Sequence, residues 1–263
     1  MLRRLLGRKS PAARPARVAQ APDGLRIYAI GDIHGRSDLL DRMHEMIATD
    51  LASHPPPAGW RAVVVHLGDY VDRGADSRGV LDRVLERRLP GAELVYLKGN
   101  HEQMLEAAVR GSEPIEAWRS LGGLETMLSY GMEPRLARAR DATAEISARL
   151  GELIPRAHLQ TIAAMPLTYR AGDYMLCHAG VRPGVALDRQ RPEDLLWIRG
   201  AFLDSEADHG ALIVHGHTPV EAPEERHNRI NIDTGAYATN LLTCLVLEGA
   251  RRDYIATVPP SFG

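Results

Sequence analysis

Six times along this chain of 263 residues, a short apolar run is followed by glycine together with aspartate, asparagine or histidine. In chain order the junctions are LRIYAI–GDIHG, AVVVHL–GDYVDRG, ELVYLK–GNHE, DYML–CHAG, ALIV–HGHTP and RINI–DTGA. Apolar runs of this length, bounded by glycine, are typical of buried β-strands. Helical patterns lie between them, so the sequence predicts an α/β protein. Its polar side chains should gather where strands end, on loops held by a rigid scaffold.

The two clearest helical patterns follow the first two junctions. Ser37 is predicted to cap a helix over residues 38–52, whose apolar residues recur on one face. Ser77 is predicted to cap a second helix over residues 78–89. Each pattern stops at a proline-containing segment, as helices commonly do.

Composition limits the class of protein. Hydrophobic residues make up 44% of the chain, enough for a sizeable core, and no apolar run reaches the roughly 18–20 residues of a membrane helix. A net charge of -2 gives no electrostatic case for nucleic acid as a partner. We therefore expect one large domain over residues 23–258, with tails at 1–22 and 259–263.

The N-terminal tail, residues 1–22, is rich in arginine and carries no acidic residue in its first twenty positions. We expect it to be disordered, and a weak contact with acidic lipid or a partner stays open, without stable membrane insertion. It lacks the apolar core of a signal peptide. The cysteines, Cys177 and Cys244, do not make a disulfide framework, and Cys177 lies in an apolar run, which is typical of a small buried residue. Both observations favour a reducing, cytoplasmic location.

Five of the junctions carry side chains that divalent metals bind. Asp32 and His34 should point to the same side if the strand continues, because side chains alternate along a strand. A lone Gly-Asp is only a turn signal, but the whole ordered set points to a metal site. Carboxylate, amide and imidazole without thiolate favour Mn, Fe or Zn over a structural cysteine site. The candidate ligands are Asp32, His34, Asp69, Asn100, His178 and His217.

The motifs GDIHG, GDYVDRG and GNHE resemble the signature of the metallophosphoesterase superfamily, and in particular of its PPP-type phosphoprotein phosphatases. The resemblance covers residues 25 to 247. Residues 120–131, 195–203 and 231–239 resemble the bacterial serine/threonine phosphatase-like branch. The resemblance implies the calcineurin-like fold, with two packed mixed β-sheets flanked by helices. Residues 103–165 are then expected to form a helical insertion that packs over the site.

The resemblance also implies a centre of two divalent ions, Mn²⁺ first and Fe or Zn as alternatives. Asp69 would bridge the ions, because a two-metal site needs a shared carboxylate. Asp32 and His34 would complete one ion, and Asn100, His178 and His217 the other. A hydroxide held between the ions would attack phosphorus in line, without a covalent phosphoenzyme.

The remaining chemistry needs a proton donor and groups that bind phosphate. His101 is the candidate general acid, and Asp72 would orient its imidazole. Arg73 and Arg199 are the candidate ligands of phosphoryl oxygens, since a planar guanidinium can donate two parallel hydrogen bonds. Arg182, just after CHAG, is interpreted as a surface residue.

Two groups of residues stay ambiguous. His215 shares a strand face with His217, so both packing and a direct role remain open. The motif reads Gly216-His217-Thr218-Pro219, and proline replaces the second histidine of the nuclease-type enzymes, which argues against a nuclease. The apolar residues of the insertion are interpreted as core packing that could also line the site: Trp118, Leu121, Leu124, Met127, Leu128 and Tyr130.

Three functions compete. The first is a metal-dependent phosphatase acting on phosphoserine, phosphothreonine or phosphotyrosine in a protein or peptide. The second is a bis(5'-nucleosyl)-tetraphosphatase, the sister class, whose motifs usually depart from VDRG and read GNHD where this chain has GNHE. Asp72 and Glu102 therefore favour the first. The third is a non-catalytic binding module, which predicts a missing ligand, and none is missing. The sequence leaves the oligomeric state open.

Overall fold

The computed structural model describes residues 18–86 and 89–257. The strands of these ranges, in chain order, are β1 (Leu25–Ile30), β2 (Arg61–His66), β3 (Ala92–Tyr96), β4 (Thr168–Ala171), β5 (Tyr174–Cys177), β6 (Leu212–His215), β7 (Glu224–Glu225), β8 (Arg229–Asn231), β9 (Thr243–Glu248) and β10 (Arg251–Ala256). They form two five-stranded sheets.

The first sheet has the order β10-β9-β1-β2-β3, and the second has the order β4-β5-β6-β8-β7. In the first sheet β1, β2 and β3 run parallel, and β9 and β10 join antiparallel. In the second sheet β5, β6 and β8 run parallel, and β4 and β7 pair antiparallel at the edges. Parallel strands end at one edge of a sheet, so the loops that follow them meet there.

The helices are α1 (Ser37–Ser53), α2 (Ser77–Glu86), α3 (Asn100–Arg110), α4 (Ile115–Trp118), α5 (Leu124–Ser129), α6 (Pro134–Ala137), α7 (Thr143–Leu153), α8 (Arg156–Ala164), α9 (Pro192–Trp197), α10 (Gly200–Leu203) and α11 (Ala236–Thr239). A π-helical turn, Arg119–Gly123, joins α4 to α5.

Strand alternation divides the interior into layers. Ile27 and Ala29 belong to the apolar cluster between the two sheets, whereas Tyr28 and Ile30 belong to the cluster beneath α1 and α2. On the far side, residues of β5 and β6 pack with α9 and α10 around the buried Phe202. The layers are helix, sheet, sheet, helix, so the predicted fold of two mixed sheets flanked by helices is confirmed.

The insertion over residues 103–165 is helical, as expected, but its position differs from the expectation. Most of it packs in the same cluster as α1, α2 and the outer face of the first sheet. The stretch from Trp118 to Thr126 is the part that reaches the site, through the hydrogen bonds described below. Much of the insertion therefore stabilises one side of the domain.

Two local expectations were wrong. Ser37 does not cap α1; it lies in the first turn, and its hydroxyl donates to Asp76 at 2.5 Å. The hydroxyl of Ser77 is used by the site, because it accepts the backbone N–H of Asp72 at 3.0 Å. Both serines therefore tie a helix to the loop between β2 and α2.

The segment predicted as an N-terminal tail falls mostly outside the described residues, as does the C-terminal tail at 259–263. The last part of the N-terminal segment, residues 18–22, contacts the domain. Ala21 is buried and donates its N–H to the carbonyl of Gly249 at 2.8 Å, and the N–H of Gln20 donates to Asp173 at 3.0 Å. No helix within residues 18–86 and 89–257 has the length and apolar character needed to cross a membrane.

The two cysteines are free and buried. Burial raises the pKa of the Cys177 thiol to about 12, so the thiol stays protonated. Cys177 thus behaves as a small core residue.

Candidate active site

The predicted metal ligands lie just beyond the ends of five strands. Asp32 and His34 follow β1, Asp69 follows β2, and Asn100 begins α3 after β3. His178 and His217 come after the parallel strands β5 and β6 of the other sheet. The two sheets bring these ends together, and each of the six side chains is between 0% and 4% exposed. We call these six residues the floor of the site.

Asp69 stands at the centre of the floor. Its Oδ2 lies 3.4 Å from Nε2 of His34, and its Oδ1 lies 3.3 Å from Nε2 of His178. The described residues contain two groups whose ligand atoms are mutually close, and Asp69 is the member that both share: His34, Asp69 and His101 in one, Asp69, His178 and His217 in the other. A carboxylate between two such groups is the arrangement that a two-metal site needs.

The second group is connected by direct contacts. Oδ1 of Asn100 lies 2.8 Å from Nε2 of His178 and 3.0 Å from Nδ1 of His217. The two imidazole nitrogens are 3.2 Å apart. An amide oxygen and two ring nitrogens therefore converge on one point, beside Asp69.

Hydrogen bonds to the backbone assign the ring tautomers. Nδ1 of His34 donates to the carbonyl of Val71 at 2.8 Å, and Nδ1 of His178 donates to the carbonyl of Leu67 at 3.0 Å. Each ring then turns the lone pair of its Nε2 toward Asp69. Metal-binding histidines are commonly oriented in this way.

Asp32 is a buried residue of the floor that belongs to neither group. Its Oδ2 accepts the backbone N–H of His217 at 3.1 Å, and its Oδ1 has no hydrogen-bond partner. Burial raises the pKa of this carboxyl well above its ordinary range, and the charges of Asp233 and Asp69 add to the effect. A buried carboxylate oxygen without a partner is costly unless a cation satisfies it.

The protonation states of the floor also suit a metal. Burial lowers the pKa of His34 to about 3 and that of His217 to about 2, so both rings are neutral. Burial alone would raise the pKa of Asp69, but the neighbouring histidines, His178 first, hold it below its ordinary range. Neutral imidazoles around an ionised carboxylate are the states that metal binding requires, so these residues fit two divalent ions.

Several residues of the site have a positive φ angle, a backbone conformation that residues other than glycine rarely adopt. Among the described residues other than glycine, seven have positive φ, and five of them are at the site: His34 (46°), Asp69 (53°), Asp72 (73°), Arg73 (66°) and His217 (67°). The left-handed region costs such residues free energy, and strain of this kind clusters at functional sites. Periodicity in the sequence gave no sign of it.

Glu102 explains how the strained loop after β2 is held. Its Oε2 accepts the backbone N–H groups of Asp69 and Gly99, both at 2.9 Å. Its Oε1 accepts those of Tyr70 and Val71, at 2.8 and 3.3 Å. Burial and then the charge of Asp69 raise the pKa of Glu102 to about 7, while the N–H donors oppose that rise. This glutamate ties together the loops that carry Asp69 and Asn100, a role that the sequence did not predict.

His101 and Asp72 form a buried pair. Nδ1 of His101 lies 2.7 Å from Oδ2 of Asp72. Although burial favours the neutral ring, the carboxylates of Asp69 and Asp72 raise the pKa of His101 above its ordinary value. The structure thus brings the predicted acid and its predicted partner into contact.

Arg73 lies over the first group. Its guanidinium donates to Nε2 of His34 at 2.8 Å and to Nε2 of His101 at 3.2 Å, and it stacks 5.1 Å from the ring centre of Tyr237. Arg199 lines the same open cleft, of about 520 Å³. The two predicted arginines therefore face one space above the floor.

The outer edge of the cleft is exposed. Leu121 is 40% exposed, Tyr237 39% and Trp197 38%. Tyr237 meets the ring of His34 edge-on at 5.5 Å, and Trp197 meets that of His217 edge-on at 6.3 Å. We call Leu121, Trp197, Arg199 and Tyr237 the rim of the site. The sequence did not predict Trp197 and Tyr237 as residues of the rim, because exposed residues within apolar motifs leave no periodic signal.

The contacts of two other residues, His215 and Arg182, show their roles. His215 packs edge-on against Phe202 at 5.0 Å, and burial lowers its pKa to about 3, so it is a neutral residue of the core. Arg182 forms a two-pronged ion pair with Asp194, at 2.9 and 2.5 Å, and is a surface residue as interpreted.

Fold and floor together are typical of a class of hydrolases that act on phosphate esters with the help of metal ions. The family model described as calcineurin-like phosphoesterase matches residues 25–240, and the chain belongs to this family. The predicted superfamily and the predicted enzyme class are confirmed.

Two relatives with the same name align with most of the chain. A protein named bis(5'-nucleosyl)-tetraphosphatase PrpE (asymmetrical) from Bacillus subtilis (strain 168) is 28% identical over 228 residues, which are 81% of this chain and 87% of the relative. The protein of the same name from Bacillus thuringiensis (strain Al Hakam) is 24% identical over 232 residues, 82% of this chain and 88% of the relative.

Solved structures share the fold. A protein whose crystal structure is described as that of a putative diadenosine tetraphosphatase superimposes on this chain with a TM-score of 0.58. The two chains are 19% identical, over 90% of this chain and 98% of the other. A cold-active protein tyrosine phosphatase of a psychrophilic Shewanella species has a TM-score of 0.50 at 17% identity, over 89% of this chain and 83% of that one.

Proposed function

We propose that this metallophosphoesterase hydrolyses bis(5'-nucleosyl) tetraphosphates, cutting the phosphate chain asymmetrically. The observation that carries the proposal is the set of relatives that align with more than four fifths of this chain and are named bis(5'-nucleosyl)-tetraphosphatase. The site is compatible, because an open cleft with two arginines suits a chain of several phosphates. This replaces the phosphoprotein substrate as the first expectation.

In the proposed mechanism the six floor residues would hold two divalent ions, with Asp69 as the residue common to both groups. The ions would supply a nucleophilic water at neutral pH and would polarise the phosphoryl oxygens. Water adds to one phosphorus atom, the P–O–P bond opposite breaks, and a diadenosine substrate gives ATP and AMP. The native metal, Mn²⁺ or another, is part of the proposal.

Arg73 and Arg199 would bind phosphates of the substrate. Arg73 already directs two N–H donors into the first group, where they meet imidazole lone pairs. Those donors would turn to phosphoryl oxygens, and Arg199 would bind the same phosphate or its neighbour from the opposite side. Guanidinium groups match phosphate geometry with paired hydrogen bonds.

His101 then delivers a proton to the leaving oxygen through Nε2. Asp72 holds Nδ1 and stabilises the charged ring. Once the guanidinium binds phosphate and leaves Nε2 of His101, that nitrogen takes up a proton from solvent and can then pass it to the leaving oxygen. The contact between His101 and Asp72 is already present.

A phosphatase acting on phosphoserine or phosphothreonine is the second candidate, and the intact His101–Asp72 pair favours it. The leaving group of an alkyl phosphate is a strongly basic alkoxide, which needs a proton more than a departing nucleotide phosphate does. A buried, well-oriented acid therefore accelerates hydrolysis of a phosphoprotein more than it accelerates hydrolysis of a dinucleotide.

The test is a paired turnover assay with Mn²⁺ on diadenosine tetraphosphate and on phosphoserine and phosphothreonine peptides. The proposal expects ATP and AMP in equal amounts and a higher kcat/KM on the dinucleotide. Arg199→Ala should weaken that activity, whereas Arg191→Ala, at an exposed ion pair with Glu193, serves as the matched control. Faster peptide turnover would establish the second candidate. Turnover of neither, with metal bound, would contradict both.

A further inference from the structure

The helical insertion places two side chains on the carboxylate of Asp72. The indole N–H of Trp118 donates to Oδ2 at 2.7 Å, and the hydroxyl of Thr126 donates to Oδ1 at 2.5 Å. Oδ2 also receives Nδ1 of His101. Asp72 is 0% exposed, so these three donors account for its carboxylate without solvent.

We infer that Trp118 and Thr126 are positioning residues for the general acid, acting through Asp72. The inference rests on the proposed role of His101. With donors on both oxygens, the carboxylate cannot rotate without losing a hydrogen bond. Its plane is therefore fixed, and so is the ring of His101 that hydrogen-bonds to it.

The backbone of Asp72 is held by the same group. Its N–H donates to Oγ1 of Thr126 at 2.9 Å and to Oγ of Ser77 at 3.0 Å, and the two hydroxyls are 2.9 Å apart. Asp72 has φ of 73°, a conformation that must be stabilised by its surroundings. Thr126 thus contacts the aspartate through both its backbone and its side chain.

Close packing between the insertion and the loop of Asp72 supports the inference. The carbonyl of Gly122 accepts the N–H of Arg73 at 3.1 Å, and a Cβ on Gly122 would lie 2.7 Å from that nitrogen. A Cβ on Gly123 would lie 2.4 Å from the ring of Trp118. Two glycines therefore let the turn approach closely enough for the tryptophan to reach Asp72.

Stability alone is a poor explanation of this network. A buried carboxylate with three donors generally stabilises a fold no better than well-packed apolar side chains do. The network instead fixes the direction of one imidazole beside Asp69, at 3.8 Å from Nε2 to Oδ2. This placement is useful to a proton donor and unnecessary for the core.

The experiment removes each donor while keeping the shape. Thr126→Val deletes the hydroxyl, and the N–H of Asp72 keeps Ser77 as its acceptor. Trp118→Phe deletes the indole N–H. Thr257→Val is the matched control, because Thr257 is buried and makes two hydrogen bonds near the end of β10. Trp60→Phe, before β2, controls for loss of an indole.

The activity readout compares aryl phosphates whose leaving groups differ in basicity. On phenyl phosphate we expect His101→Asn to lower kcat by about 10²–10⁴-fold, as loss of a general acid does. We expect Thr126→Val and Trp118→Phe to lower it by about 10-fold, as an acid held off its best geometry would. All three losses should shrink on p-nitrophenyl phosphate, whose leaving group needs little protonation. Thr257→Val and Trp60→Phe should show no such dependence.

A second readout does not depend on turnover. The Nδ1–H proton of His101, hydrogen-bonded to Asp72, should give a low-field NMR resonance in the Zn²⁺-loaded protein. It is assigned by its loss in His101→Asn. We expect it to shift in Thr126→Val and Trp118→Phe and to stay unchanged in the two controls.

The two proposals fail in different ways. If His101→Asn lowers kcat equally for both leaving groups, His101 is not the acid and the inference falls with it. If His101→Asn shows the dependence while Thr126→Val and Trp118→Phe behave like the controls, the inference alone is wrong. If the parent protein turns over neither aryl phosphate, an unchanged resonance in both variants overturns the inference, and a shifted one supports it.

Discussion

The floor and the rim of the site are built in opposite ways. Floor residues are nearly inaccessible, several have strained backbones, and each is fixed by hydrogen bonds or by close neighbours. Rim residues are exposed and have few contacts, such as the hydrogen bond from Trp197 to Gln103. Chemistry common to a whole family needs rigid geometry, whereas the choice of substrate belongs to surface residues that can change without damage to the fold.

Asp69→Asn should break the floor with the largest effect. The amide would present one neutral oxygen where both groups share a charged carboxylate, so we expect loss of tight metal binding and of measurable turnover. Calorimetric titration with Mn²⁺ and the turnover assay check this. Asp188→Asn, at an exposed position, is the control. Retention of two tightly bound ions would show that Asp69 is not shared.

Glu102→Gln tests whether the floor is held by its backbone contacts. Both carboxylate oxygens face only N–H donors, so an amide NH₂ would oppose two of them. We expect the free energy of unfolding to fall by about 1–3 kcal/mol, the cost of unsatisfied buried polar groups. Urea denaturation measures it. Glu106→Gln, on the same helix and paired with Lys98, should have a smaller effect.

His215 provides a test in the interior behind the floor. Its pKa is about 3 in the folded protein, below the ordinary value, so the folded state favours the neutral ring. The neutral His215 ring makes its whole contribution to the free energy of unfolding above about pH 6.5. This contribution is lost as pH falls toward 3, by up to about 1.4 kcal/mol per pH unit.

The measurement is urea denaturation of the metal-free protein at several pH values. His215→Gln should flatten the dependence by about one proton between pH 6.5 and 5. An unchanged slope would mean that the ring is already protonated in the folded state. Only the slope is compared, since the substitution also changes packing against Phe202.

Arg199→Ala should have the smallest effect, because it removes one member of the rim. We expect KM for diadenosine tetraphosphate to rise about 10-fold, the value of one charge-assisted hydrogen bond, with kcat changed less and metal binding unchanged. Steady-state kinetics would show this. A fall in kcat at constant KM would instead place Arg199 on the reacting phosphate in the transition state.

The sequence pattern predicted an α/β protein and the residues of the floor, because strand ends have a readable pattern, whereas the layered arrangement of two sheets was implied by the family resemblance. It did not predict Glu102 as the residue that ties two loops, since a glutamate in a helix looks like any exposed helix former. Thr126 and Trp118 were missed for a similar reason: their spacing fits core packing, and only tertiary contact shows that they end on Asp72. The substrate was hardest, because the rim carries no periodicity.

The single carboxylate of Asp69 has a thermodynamic consequence. Two ions that use one ligand cannot be bound independently, because the first changes the charge and orientation that Asp69 offers to the second. Such coupling is reciprocal: if binding of the first ion changes the affinity for the second by some factor, binding of the second changes the affinity for the first by the same factor. The ions that such a centre binds would therefore depend on the pair, and not on the affinity of each site measured alone.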